Sequence, residues 1–192
     1  MLTIVIVAVI VIAASAVLFV GRKRARGTGG HSLKHRFGPE YARAVSLHDG
    51  DVQAAERELT ERVKRHGSLK QAPLPPEDRA HYRAQWTAIQ EEFVDSPHKA
   101  VTEADALLAR LAQVRGFPDG ARFEEQHAAL SVHHAEHLHG YRSMHTVVRG
   151  RSGTEEMREA MVEARGLFEA LVTEQPADSD DRHHQAKESG TP

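Results

Sequence analysis

Residues 82 to 114, YRAQWTAIQEEFVDSPHKAVTEADALLARLAQV, decide the fold class. Tyr82, Trp86, Ile89 and Phe93 follow one another at intervals of four, three and four, the spacing that gathers side chains on one face of an α-helix. Asp95-Ser96-Pro97 then punctuates the chain, with Ser96 placed to cap a helix and Pro97 suited to its first turn. Val101, Ala104, Leu108, Leu111 and Val114 renew the period until Arg115-Gly116-Phe117-Pro118 stops it. Two amphipathic helices in succession predict an all-α body. The aromatic stripe predicts its core, because burying such side chains contributes several kcal/mol in total.

The same reading extends outward in both directions. Gly38-Pro39 opens a short helix through Tyr41 and Val45 that Asp49-Gly50 stops. Asp51 caps a second helix, with Val52, Ala55, Leu59 and Val63 as its inner stripe and Gly67 as its end. The prolines of SLKQAPLPP, residues 68 to 76, predict an extended connection. On the carboxyl side, a weaker helix contains Phe123 and Leu130. A histidine-rich helix is expected from about His133 to Val148, with His134, Leu138, Tyr141, His145 and Val148 as a half-buried stripe. Thr154 caps a last helix over 155 to 172, which has Glu155 and Glu156 in its first turn and Met157, Met161, Ala164, Phe168 and Leu171 inward. The expected domain is bundle-like, with about six helices over residues 37–173. Its core is built on Tyr82, Trp86, Ile89, Phe93, Leu108, Leu111, Leu138, Tyr141 and Phe168. The tail, 174–192, has almost nothing to bury and is expected to be disordered.

Bulk composition narrows the function classes. A formal charge of -2 over 192 residues removes whole-molecule attraction as a reason to bind nucleic acid, and no nucleic-acid partner is expected. The absence of cysteine excludes disulfides and thiolate metal sites. No phosphate-binding glycine loop, dinucleotide fingerprint, nucleophile elbow or EF-hand loop occurs.

The first residues carry an address. LTIVIVAVIVIAASAVLFV, residues 2 to 20, holds no charge, and as a helix it would measure roughly 28 Å, close to the hydrocarbon thickness of a bilayer. Arg22, Lys23, Arg24 and Arg26 follow at once, and cations in that place stay on the cytoplasmic side. A cleaved signal is the alternative, with Ala14-Ser15-Ala16 as a small-x-small site, but no Lys or Arg precedes the apolar run. The expected organisation is a transmembrane anchor at 1–21 and a basic flexible linker at 22–36. The amino terminus would lie outside and the helical body in the cytoplasm, or the body would be secreted if the segment is cleaved. Arg22, Lys23, Arg24 and Arg26 are the expected contacts to lipid head groups.

Residues 127 to 145, HAALSVHHAEHLHGYRSMH, hold six of the chain's 14 histidines. Within them His133-His134-Ala135-Glu136-His137 spells H-x-x-E-H, the zinc signature of inverted metalloproteases. On one helix His133 and His137 could share a metal, with Glu136 alongside as a general base. A catalytic site also needs a third ligand and a walled cleft, for which few residues remain. The segment could alternatively gain charge as the surroundings acidify. The plainest reading is a half-buried stripe with solvated polar positions around it, which leaves His133 and His137 as the only metal candidates and assigns no catalytic residue or cofactor.

The segments LKHRFGPEY (33 to 41), AAERELTERVKRH (54 to 66), YRAQWTAIQEEFVDSPHKAVTEADALL (82 to 108), RGFP (115 to 118), LSVHH (130 to 134) and TEEMREAM (154 to 161) together resemble a group of small actinobacterial single-pass membrane or "secreted" proteins. The resemblance implies the same organisation and a bacterial origin, but no activity, since the group has none assigned. His137 and His139 fall outside the histidines of that pattern, which argues against a catalytic role for them. The functional expectation is a non-catalytic, membrane-tethered interaction or scaffold module. Its partners are membrane lipids and a protein partner, and self-association stays open. A metal- or pH-responsive sensor or hydrolase on the histidine segment is the alternative.

Overall fold

The computed structural model describes residues 30–173, and no strand occurs among them. The proposed anchor at 2–20, the cations Arg22, Lys23, Arg24 and Arg26, and the tail at 174–192 lie outside the described residues. Among the described residues no helix is long and apolar enough to cross a membrane. Eight helices follow in order: α1 (30–37), α2 (Pro39–Leu47), α3 (Val52–His66), α4 (Pro76–Glu92), α5 (Pro97–Val114), α6 (Phe123–His133), α7 (Leu138–Arg149) and α8 (Thr154–Thr173). Single 3-10 turns at Gly120–Arg122 and Ala135–His137 lead into α6 and α7. The all-α class is as expected. The chain divides into two compact units between Glu61 and Arg62, inside α3.

The first unit begins with a correction. Residues 30–36 were expected to belong to a flexible linker because of their glycine and charge, yet they form α1. Gly30 and Phe37 are buried and Leu33 half-buried, a spacing of three and four that makes one inner edge. Gly38, at φ 47°, turns the chain into α2. There Tyr41 donates its hydroxyl hydrogen to Glu56 of α3 at 2.8 Å. Asp51 caps α3 as its sequence position predicts, accepting from the backbone N–H groups of Gln53 and Ala54 at 2.9 and 3.0 Å. Ala55 and Leu59 are buried, but Val52 is 45% exposed, as is Val114 at 49%. Each is a terminal residue of its helix, where burial requires a neighbour that reaches as far.

The second unit is built around α5. Ala100, Val101, Ala104, Leu107, Leu108, Leu111 and Ala112 are all buried on it, and α4, α7 and α8 pack against it. Trp86 of α4 stacks on Phe168 of α8, with ring centroids 4.6 Å apart and planes 16° apart. Ile89, Leu108, Leu111, Leu138 and Tyr141 join them in the core, while Tyr82 and Phe93 are only partly buried against it. The α7–α8 pair approaches closely at Gly140, where a Cβ would lie 2.3 Å from the carbonyl carbon of Glu163. Two caps differ from expectation. Ser96 occupies the cap position of α5 without a side-chain bond, and α8 starts one residue early, so that Glu156 accepts from the Gly153 N–H at 3.1 Å.

The histidine-rich helix is also corrected. His133 ends α6, His134 leaves helical geometry at φ -133° and ψ 41°, and α7 starts only at Leu138. His133 and His137 therefore do not stand one turn apart on a continuous helix. No glycine or proline marks the break, and the apolar spacing runs through it, so periodicity alone gave no sign of it.

Candidate functional site

The break at His134 packs against residues from distant parts of the chain. The α5 terminus is a Schellman turn: Gly116 takes φ 93°, its N–H donates to the Gln113 carbonyl at 2.9 Å, and the Phe117 N–H reaches the Ala112 carbonyl at 3.0 Å. This turn aims Arg115 at the extended connection before α4. The Ala72 N–H donates to the Arg115 carbonyl at 2.9 Å, Arg115 Nη1 donates to the Ala72 carbonyl, and Arg115 Nη2 donates to Gln71 Oε1 at 2.9 Å. Arg115 is fully buried. Because guanidinium only donates, Gln71 must turn its oxygen toward Arg115 and its amide nitrogen toward His134 Nε2, 3.0 Å away. His134 thus accepts at Nε2 and is neutral, with its proton on Nδ1. Burial, the neighbouring His133 and His137, and Arg115 push His134 down to about 4.

The remaining histidines of the segment have separate partners. Nε2 of His127, a buried residue, faces Arg142 Nη2 at 2.6 Å, so the ring accepts there. His133 donates to the His66 carbonyl at 2.9 Å, with its ring edge-on to Phe117. His137 packs over Gly166 of α8, where a Cβ would come within 2.9 Å of its Nδ1. His139 is exposed, 3.6 Å from Glu163. His145 donates from Nδ1 to the Asp105 carboxylate at 3.1 Å and lies flat on Phe123, with 3.5 Å between centroids.

Asp105 and His145 are the nearest approach to a catalytic pair. A carboxylate on Nδ1 orients imidazole as a proton acceptor at Nε2, the arrangement of a general base. Here Nε2 is buried and meets no hydrogen-bond partner among the described residues. Burial pushes the Asp105 carboxyl upward, against the opposing pull of His145 and Arg149. Beside the pair, Tyr141 donates to Gln126 Oε1 at 2.7 Å, while Gln126 Nε2 donates to the carbonyls of Ala109 and Pro118 at 3.0 and 2.8 Å. Burial and Asp105 push the Tyr141 hydroxyl well above its ordinary range. Their hydrogen bonds tie α5, α6 and α7 together.

Of the H-x-x-E-H residues, His133 is taken by the His66 carbonyl, Glu136 is exposed and His137 is the last residue of the 3-10 turn. Among the described residues no group of three or more His, Cys, Asp or Glu side chains is placed to hold a metal ion. Sequence reasoning missed Arg115, Gln126, His127 and Asp105. Only Arg115 had a signal, its place beside the glycine that ends α5.

Two of the recesses on the surface of the described residues lie in the second unit. One, of about 490 Å³, lies between α4 and α5 over Ile89, with Glu92, Glu103 and Arg110 at its rim. The other, of about 140 Å³, is formed by Phe93 and Gln90 with Arg158, Met161 and Val162 of α8, and Val162 is 61% exposed. The expected lipid contacts Arg22, Lys23, Arg24 and Arg26 precede all of this in sequence. No protein-family model, curated protein or solved structure matches the chain.

Proposed function

We propose that the chain is a single-pass, membrane-tethered helical module that docks a protein partner at the cytoplasmic face. The observation that carries this reading is the uncharged run at 2–20 followed by Arg22, Lys23, Arg24 and Arg26. The run is long enough to span the hydrocarbon layer, and the trailing cations resist translocation. The recess at Phe93, Met161 and Val162 supports docking, because it sets apolar side chains at the surface beside Arg158, which is ion-paired with Glu155. Anchoring would raise the local concentration of whatever binds there. Alkaline carbonate extraction and protease treatment of intact cells test the address. The protein should stay with the membrane, and the Trp86 region should resist digestion until the cells are opened. Release by carbonate, or digestion from outside, overturns the reading. A photoreactive group at Val162 should yield one reproducible protein adduct in native membranes, and recovery of lipid adducts alone would overturn the docking role.

A further inference from the structure

The recess between α4 and α5 carries opposite charge at its two ends. The two helices are joined by only four residues, 93–96, and pack on one another as an antiparallel hairpin. Glu92 and Glu103 close one end, where Lys99 Nζ stands 2.9 Å from Glu92 and 3.9 Å from Glu103. Two carboxylates share one ammonium there, so that end is net negative. Gln85 and Arg110 close the other end. Gln85 is engaged with His81 at 2.6 Å, whereas Arg110 is exposed and has no ion-pair or hydrogen-bond partner among the described residues. Arg110 lies seven residues beyond Glu103, two turns and about 10 Å along the same edge of α5. Ala106 sits between them, and Ala88 lines the trough from α4. Both alanines are exposed, so the middle of the trough is open down to Ile89 while its ends are charged with opposite sign.

We infer that this trough is a self-association surface, occupied by α5 of a second copy of the chain. A two-fold axis beside Ala106 sets the two α5 helices antiparallel and lays Arg110 against the partner's Glu103, and Glu103 against the partner's Arg110. Both pairs form at once, because Glu103 lies three residues before Ala106 and Arg110 four residues after it. A foreign partner would need the same charges in reversed order, which a second copy presents by symmetry. The surface is separate from the docking recess at Phe93 and Val162, and it depends neither on that recess nor on the anchor. Its charge pairs are exposed, so salt weakens it.

The lack of native cysteine allows a single thiol in the full-length protein. Ala106→Cys places it beside the axis, and in mild detergent a short bis-maleimide should join two copies of this variant. Glu159→Cys, at an exposed position on α8, should join far more slowly. Arg110→Glu in the Ala106→Cys background should weaken dimer formation about tenfold, because like charges then meet at both pairs. Adding Glu103→Arg to it should restore dimer formation, since the same pairs form again with their signs exchanged. All these positions are exposed, and urea unfolding checks that each variant is folded. Equal linkage of the Ala106 and Glu159 thiols overturns the surface. Linkage that survives Arg110→Glu, or that the double reversal fails to recover, overturns the pairing of Arg110 with Glu103 and the proposal with it.

Discussion

Gln71 donates its amide hydrogen to Nε2 of His134 across 3.0 Å, and the donation can run in only one direction because Arg115 occupies the oxygen of the same amide. Folding therefore selects neutral His134. Its value falls from the ordinary range near 6.5 to about 4, so between those limits the unfolded chain binds a proton that the folded chain refuses. Stability is full above about pH 6.5 and is lost as pH falls toward 4, by about 3 kcal/mol in total from this residue. His66, also lowered by burial, acts with the same sign. Urea unfolding at pH 7 and pH 4.5 measures the loss, and His134→Gln should remove most of it. An equal loss in that variant would show that the acid sensitivity lies elsewhere.

Gln71→Glu tests the relay from the other end. A carboxylate would still accept from Arg115, and it would now favour protonated His134. The imidazole should titrate higher than in the native protein by about one to three units, read from its carbon-bound proton shifts by NMR. An unchanged titration would mean that burial alone sets the value.

Trp86 and Phe168 were both placed in the core from spacing, and their stacked rings join α4 to α8. Trp86→Ala should cost about 3 to 5 kcal/mol in chemical denaturation. The indole Nε1 is buried without a partner among the described residues, so Trp86→Phe should cost less than its loss of volume suggests. A full alanine-sized loss in the phenylalanine variant would refute the burden placed on that N–H.

Helix identity, the Asp51 cap and the α5 terminus were legible because each depends on residues near in sequence. Trp86 and Leu108 could be placed inside for the same reason: a 3.6-residue period needs no knowledge of the partner helix. The break at His134 could not be read, because it follows from Arg115 and Gln71, which reach His134 only through tertiary packing. Gln126 and His127 carried no sign of burial, because burial of a polar side chain leaves no periodic mark when its partner comes from another helix. Arg22, Lys23, Arg24 and Arg26 remain sequence-level proposals.

Gly140 shows how a single missing methyl sets a helix pair. A Cβ there would lie within 2.5 Å of three backbone atoms of Glu163 and Ala164, none of which can rotate away. Gly140→Ala gains about 1 kcal/mol of helix propensity yet must separate α7 from α8. A net loss of about 1 to 3 kcal/mol is expected from overpacking, measured by denaturant unfolding. A stabilised variant would show that α7 shifts without resistance.

Asp105 and His145 separate charge from hydrogen bonding at a buried site. The Asp105 carboxyl is raised by burial, so its ionised form opposes folding, and this contribution grows as pH rises through the folded value. Its sign is opposite to that of His134. Asp105→Asn keeps an oxygen for the Nδ1 hydrogen of His145 and removes the buried charge, so at pH 7 its stability should equal or exceed that of the native protein. Asp105→Ala leaves the donor unsatisfied and should cost about 1 to 3 kcal/mol. Equal losses in both variants at pH 7, measured by urea unfolding, would mean that the carboxylate charge itself holds His145 and that attraction outweighs the cost of burial.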